Sequence, residues 1–87
     1  MHIVIVGCGR AGTALAARLD AEGDSVSAVD SDSGARARLP AGFGGEFVLG
    51  SGLRRTVLEA AGIERADALV ALTASDSLNI EIGRAHV

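Results

Sequence analysis

The feature that most constrains this chain is the stretch "IVIVGCGRAGTALAARL" at residues 3–19, where an apolar run passes into three glycines and then into a helical pattern. Residues 2–6, HIVIV, are apolar at successive positions and do not alternate with polar residues. This pattern is typical of a parallel strand covered on both faces. Apolar residues then recur at every fourth position over 11–22, forming one stripe of a helix that Gly23 ends. The stretch predicts a strand, a glycine turn and a helix.

The rest of the chain repeats this alternation. The patterns predict further strands at 25–30, 46–50 and 66–73, and helices at 34–39, 53–61 and from Ser75 to the end. Strands that alternate with helices form βαβ units, and hence a parallel sheet with right-handed crossovers. We predict an α/β, Rossmann-like fold of four βα units, with helices on both faces of the sheet and strand order 3-2-1-4.

The predicted last helix is apolar on two sides. At 100° per residue, one side carries Leu78 and Ile82, and the opposite side carries Ile80, Gly83 and Val87. Such a helix needs two neighbours, and the fourth strand would otherwise be an unpaired hydrophobic edge. We therefore expect residues 1–87 to be a single domain truncated at its C-terminus, or one that forms a homodimer or higher homo-oligomer through the second side.

Composition excludes some classes of function. The net charge is −3, which argues against non-specific binding of nucleic acid or of an anionic membrane surface. No apolar run approaches the ~20 residues of a membrane helix, and the start of the chain does not resemble a signal peptide. The single cysteine, Cys8, excludes an internal disulfide and fits a reducing compartment. We expect a cytoplasmic domain that does not insert into a membrane.

The glycine turn has the spacing G-x-G-x-x-G, between a predicted strand and a predicted helix. In this context Gly7 permits the tight turn, Gly9 lets the backbone approach a pyrophosphate, and Gly12 allows close packing of helix on strand. The helix N-terminus offers N–H donors and the positive end of its dipole to the anion. Arg10 could fold over a phosphate as a bidentate partner, or be a solvated residue of the first turn.

An acid ends the second predicted strand. Asp30 follows Gly12 by 18 positions, close to the ~20-residue spacing of a ribose-binding acid. A carboxylate there accepts hydrogen bonds from the ribose hydroxyls and repels a 2′-phosphate. The expected ligand is an adenine nucleotide with a free 2′-hydroxyl, NAD(H) or ATP/ADP, and not NADP. The alternative is a surface acid that happens to end a strand.

The remaining chemically active side chains carry less information. Cys8 lies at a helix N-terminus, where the pKa of a thiol can fall, but without a second cysteine it is interpreted as a small residue that the turn accommodates. His2 and His86 stand alone without metal-ligand spacing, so no metal site is predicted.

With these residues assembled, the chain resembles the N-terminal nucleotide-binding domain of the potassium-transport regulators, the RCK, KTN or TrkA-N domain family. The resemblance covers essentially the whole chain through "IVGCGRAGTALA", "VDSD", "FVLGSG" and "LEAAGIERADALVALTASDSLNI". It implies a cytoplasmic regulatory domain that binds ATP, ADP or NAD(H), assembles into dimers and rings, and gates a membrane potassium channel or transporter.

The resemblance also carries over individual positions. It implies that Ser51 and Gly52 sit beside the adenine and that Thr73 lines the site. Two departures stand out: the family usually has an acid at position 51, and this chain stops inside the predicted fourth helix. Asp76 and Asn79 match the family pattern, but helix capping is the favoured interpretation of both residues.

No residue is assigned a catalytic role, and three hypotheses remain. The first is a nucleotide-sensing regulatory domain, the second a cofactor-binding fragment of an NAD-dependent oxidoreductase, and the third an assembly domain with a vestigial site. An oxidoreductase needs a nicotinamide pocket and an acid–base residue, neither of which the sequence supplies, so we interpret the chain as not an enzyme. The complete candidate ligand-binding set is Gly7, Cys8, Gly9, Arg10, Ala11, Gly12, Asp30, Ser31, Ser51, Gly52 and Thr73.

Overall fold

The computed structural model describes residues 1–72 and the strand at 78–82. None of the helices in these ranges is long and apolar enough to cross a membrane. In chain order the elements are β1 (His2–Val6), α1 (Arg10–Ala21), β2 (Ser25–Asp30), a 3₁₀ helix (Ser33–Arg38), β3 (Glu46–Leu49), α2 (Arg55–Ala60), a short 3₁₀ turn (Ile63–Arg65), β4 (Ala68–Leu72) and β5 (Leu78–Ile82).

The sheet has the strand order β3-β2-β1-β4-β5, and β1 to β4 run parallel. This confirms the predicted Rossmann-like order 3-2-1-4. In the register, Val6 lies beside Val29 of β2 and beside Ala71 of β4. The carboxyl ends of the central strands therefore meet at one edge, which places the turn after β1 next to the end of β2.

Helices pack on both faces of this sheet. Ile3 and Ile5 of β1 belong to the cluster of buried residues that includes Ala16 of α1. Val4, between them, belongs to the opposite cluster, in which Ala61 at the end of α2 is buried. Successive residues of β1 thus face different helices, which explains why the strand is apolar at every position.

The predicted last helix is wrong over the described residues. Leu78–Ile82 forms β5, which pairs antiparallel to β4 from Leu72↔Leu78 to Ala68↔Ile82. Its sequence, LNIEI, alternates apolar and polar residues with a period of two, which is a strand pattern. The pairing also uses the backbone groups of β4 that would otherwise form an open edge.

This correction removes the helical interface predicted through Ile80, Gly83 and Val87. Ile80 lies in β5 opposite Val70, so it shares no helix face with the other two residues. Gly83 and Val87 lie outside the described residues.

Candidate functional site

A cavity of about 680 Å³ opens at the carboxyl edge of the sheet, a volume typical of small-molecule sites. It lies where the turn after β1, the N-terminus of α1 and the segment after β2 converge. Its lining consists of Gly7, Gly9, Arg10, Ala11, Gly12, Asp30, Ser31, Asp32, Arg38 and Leu72.

Most of the residues predicted from the sequence meet in this one cavity. The three glycines of the turn line it together with Arg10, Ala11, Asp30 and Ser31. Cys8, Ser51 and Gly52 are not among its lining residues, and Thr73 lies outside the described residues. Asp32, Arg38 and Leu72 line the cavity without having been predicted to do so.

Two of the turn glycines are required by the fold itself. Gly7 has φ +100°, and a Cβ there would overlap the carbonyl oxygen of Leu72. A Cβ at Gly12 would overlap the carbonyl oxygen of Gly7. Gly12 therefore allows α1 to start directly against the end of β1, as the motif predicts.

Gly9 is different, because neither its backbone nor its neighbours require a glycine. Its φ of −76° and ψ of −160° lie in the extended region, which side chains tolerate. A Cβ at this position would meet no protein atom within 4 Å. Gly9 lines the cavity, so a side chain there would take up space beside the start of α1. The absence of a side chain at Gly9 leaves room for the backbone to approach a diphosphate closely.

The N-terminus of α1 provides the donors that such an anion needs. Gly9 is the N-cap residue, and no side chain caps the helix within the described part of the chain. The first backbone N–H groups of a helix lack intrahelical acceptors, and they form the positive end of its dipole. Because Arg10, Ala11 and Gly12 of this first turn line the cavity, the site is suited to binding a phosphate group.

Asp30 joins the glycine turn to the segment after β2. Its Oδ2 accepts a hydrogen bond from the backbone N–H of Cys8 at 2.7 Å, and its Oδ1 accepts one from the N–H of Asp32 at 2.8 Å. A carboxylate has roughly four acceptor positions, so two remain for hydroxyl groups of a ligand. Sequence reasoning anticipated the position of Asp30 beside the turn but not its two backbone bonds.

The backbone of Cys8 is held on both sides by hydrogen bonds. Its N–H donates to Asp30, and its carbonyl oxygen accepts from the Thr13 hydroxyl at 3.1 Å and from Nη1 of Arg38 at 3.3 Å. This N–H is consequently engaged by the protein and is not free to bind a phosphate. Side chains from α1, β2 and the 3₁₀ helix together fix the turn.

The thiol of Cys8 points into the protein, where it is fully buried with Sγ 3.8 Å from the carbonyl oxygen of Val29. Burial, and then the negative charge of Asp30, raise the pKa of this thiol to about 11, and the positive charge of Arg38 offsets part of that rise. A protonated, inaccessible thiol is unreactive. The structure agrees with the interpretation of Cys8 as a small residue that the turn accommodates.

Arg38 is one of the three cavity residues that sequence reasoning missed. Its Nη1 donates to the carbonyl oxygen of Cys8, and its Nη2 lies 3.4 Å from Oδ2 of Asp32, with half of the side chain exposed. The 3₁₀ helix has a period of three residues, which puts Ala35 and Arg38 on one side, in line with the N-cap residue Asp32. Ala35 is fully buried, whereas about half of the Asp32 and Arg38 side chains is exposed.

Ser51 and Gly52 close the loop after β3. Ser51 Oγ accepts a hydrogen bond from the N–H of Leu53 at 3.2 Å. A Cβ at Gly52 would overlap the side chain of Val6 at the end of β1, so close packing explains this glycine. A role of either residue beside an adenine base stays a prediction.

The sequence matches the TrkA-N domain over residues 3–85. It is 45% identical over 84 residues to the Trk system potassium uptake protein TrkA of Streptomyces coelicolor, an alignment that covers 97% of this chain. It is 36% identical over 80 residues to the TrkA homolog of Pyrococcus abyssi and 39% identical over 80 residues to TrkA of Haemophilus influenzae, each covering 92% of this chain.

The chain spans only part of these relatives. It covers 38% of the length of the Streptomyces protein, 35% of the Pyrococcus protein and 18% of the Haemophilus protein.

Proposed function

The chain belongs to the TrkA-N domain family, and on that premise we propose that it is a regulatory domain that binds an adenine nucleotide and controls a potassium channel or transporter. The names of the relatives, which are potassium uptake proteins, support the transport role. The proposed partner is a membrane subunit that this domain contacts from the cytoplasm, as part of a homo-oligomer.

The observation that carries the nucleotide proposal is the open space at Gly9. The fold explains Gly7 and Gly12 by close backbone contacts, but it gives no reason for a glycine at position 9. A ligand packed against the backbone supplies that reason. The uncapped N-terminus of α1 beside the same space gives the ligand its chemical class, an anion such as a diphosphate.

The other residues of the cavity fit the rest of a nucleotide. Backbone N–H groups in the first turn of α1 would donate to the diphosphate, with the Arg10 guanidinium beside it. Asp30 would use its remaining acceptor positions for the ribose hydroxyls, and Ser31 lies next to it on the cavity wall. Because a 2′-phosphate would lie against the Asp30 carboxylate, we propose ATP, ADP or NAD(H) as ligands and not NADP.

Regulation requires that the nucleotide bind two states of the assembly with different affinity, since equal binding shifts no equilibrium. Coupling free energies of this kind are typically about 1–3 kcal/mol. The turn after β1 is held by α1, β2 and the 3₁₀ helix at once. A ligand that moves this turn would therefore act on several elements together.

Calorimetric titration of the chain with ATP, ADP, NAD, NADH and NADP tests the proposal. Gly9→Ser places a side chain in the cavity, while serine is a preferred N-cap residue and should preserve the helix. Crowding of the ligand is expected to lower nucleotide affinity by about tenfold or more. Gly42→Ser is the matched control, because Gly42 is equally open and lies outside the cavity.

Three results would overturn this proposal. The first is that no adenine nucleotide binds, the second is that NADP binds as tightly as NAD, and the third is that Gly9→Ser binds nucleotide like the wild type. A urea unfolding curve of each variant confirms that a loss of affinity does not reflect a loss of folding.

We propose no enzymatic activity for this cavity. Among the described residues, those that line it include no histidine, lysine or tyrosine that could serve as an acid–base group beside a nicotinamide. Incubation with NADH and a panel of carbonyl substrates is expected to leave NADH unoxidised. Turnover of any of these substrates would favour the oxidoreductase hypothesis instead.

A further inference from the structure

The cavity wall holds two arginines in different places. Arg10 belongs to the first turn of α1, where the diphosphate is proposed to bind. Arg38 belongs to the 3₁₀ helix after β2, and its Nη2 lies 3.4 Å from Oδ2 of Asp32, the residue whose N–H donates to Asp30. Arg38 therefore lies on the ribose side of the site, where a base attached to that ribose must go.

The edge of the Arg38 guanidinium is already occupied by the protein. Nη1 donates to the carbonyl oxygen of Cys8 at 3.3 Å, and Nη2 lies 3.4 Å from the Asp32 carboxylate. Hydrogen bonds to a guanidinium lie in its plane, so these two contacts do not use its flat faces. With 49% of the side chain exposed, a planar ligand can reach Arg38.

No aromatic ring competes for this role among the described residues that line the cavity. The two phenylalanines of the chain, Phe43 and Phe47, line a separate pocket with Arg36 and Leu39. Stacking on an aromatic side chain is a common way to hold a base. Here the planar group available on the ribose side is a guanidinium.

Resting on the nucleotide site proposed above, we propose that Arg38 is the platform for the nucleotide base, against which one face of the adenine packs. Asp32 and the carbonyl oxygen of Cys8 hold the guanidinium in place from its edge. This mode of binding recognises the face of the base and not its hydrogen-bonding edge. It should therefore favour large purines over pyrimidines without distinguishing one purine strictly from another.

Calorimetric titration with ADP, UDP and inorganic pyrophosphate tests this assignment. Arg38→Met keeps a long apolar stem and removes the guanidinium. It is expected to lower the affinity for ADP about fivefold, which is the effect of losing a partly exposed cation–π contact. The affinity for UDP should fall less, and the affinity for pyrophosphate should fall least. Arg36→Met is the matched control in the same 3₁₀ helix, and it should leave all three affinities unchanged.

Two other roles for Arg38 give different results. If its charge attracts the phosphates, Arg38→Met weakens ADP, UDP and pyrophosphate equally, and Arg38→Lys recovers the wild-type affinity for ADP. If Arg38 only fixes the turn through Cys8, Arg38→Met and Arg38→Lys both have a lower free energy of unfolding in urea. Both variants then also bind ADP, UDP and pyrophosphate more weakly. Either result overturns the proposal.

The test also separates this proposal from the nucleotide site itself. If the wild type binds ADP, Gly9→Ser weakens that binding about tenfold or more and Arg38→Met leaves it intact, then the platform is wrong and the site stands. If the wild type binds none of the three ligands, both proposals are overturned.

Discussion

Raising the pH from 8 to 11 is expected to destabilise the fold through a single side chain, Cys8. The thiol is fully buried, and burial and the charge of Asp30 raise its pKa from 9.0 to about 11. The chain contains no tyrosine and no lysine, whose side chains ordinarily lose a proton near pH 10. Cys8 is therefore the only side chain of the protein that should titrate between pH 9 and pH 11.

The direction follows from the two pKa values. In the unfolded chain the thiol loses its proton near pH 9, whereas the folded protein retains it until about pH 11. The contribution to stability is complete below pH 9 and is lost as the pH rises toward 11. One pKa unit corresponds to about 1.36 kcal/mol, so the free energy of unfolding should fall by about 1 kcal/mol at pH 10 and about 2 kcal/mol at pH 11.

Urea unfolding followed by far-ultraviolet circular dichroism measures this loss at pH 8, 9, 10 and 11 under reducing conditions. Cys8→Ala is the control, because it removes the titrating group and leaves the rest of the chain unchanged. Its free energy of unfolding is expected to stay level from pH 9 to pH 11. Parallel curves for the wild type and Cys8→Ala would refute the reasoning, since the alkaline loss would then come from elsewhere.

Other substitutions around the turn have distinct expected effects. Gly12→Ala should lower the free energy of unfolding by about 3 kcal/mol or more, because its Cβ overlaps the carbonyl oxygen of Gly7; a variant of wild-type stability in urea would contradict this packing. Asp30→Ala should weaken binding of adenosine nucleotides by about 1.5–3 kcal/mol. The variant should then bind 2′-deoxy-ADP almost as tightly as ADP. An unchanged affinity in calorimetry would contradict the proposed contact between Asp30 and the ribose. Asp32→Ala removes the acceptor for the N–H of Gly34 at the start of the 3₁₀ helix. The free energy of unfolding, measured by thermal unfolding, should fall by about 1 kcal/mol. A melting temperature equal to that of the wild type would show that this cap does not stabilise the protein.

The parts of the fold that could be predicted from sequence are those with strong local signals. β1 reads as a buried parallel strand because it is apolar at successive positions, and the glycine spacing fixes the turn and the start of α1. The position of Asp30 followed from the same logic, since the ends of parallel strands meet at one edge. In each case the local pattern and the sheet topology agree.

The segment at 78–82 shows where this reasoning failed. Five residues of alternating polarity fit a strand, but the same apolar residues can also be projected onto the faces of a helix. The sequence indicates that β4 has an exposed edge, and it predicts that a missing segment or a second subunit covers this edge. The chain instead covers this edge with β5, through an antiparallel pairing that the alternation of strands and helices did not suggest.

Arg38 was missed for a different reason. The position of Arg38 in the cavity wall depends on two contacts. The 3₁₀ helix places its guanidinium beside the Asp32 carboxylate, and the packing of that helix against the turn places it beside the carbonyl oxygen of Cys8. The second of these is a tertiary contact between residues 30 positions apart. No periodicity in the sequence encodes such a contact, so the wall on the ribose side of the cavity required the structure.

The most direct test of the nucleotide site is an amide-resolved NMR titration of the ¹⁵N-labelled protein with ADP. If the diphosphate binds at the start of α1, the largest chemical shift changes should fall on the amides of residues 9–12, with a further change at the backbone amide of Asp30. Changes centred on the separate pocket at Phe43 and Phe47, or a spectrum that does not change at millimolar ADP, would contradict it.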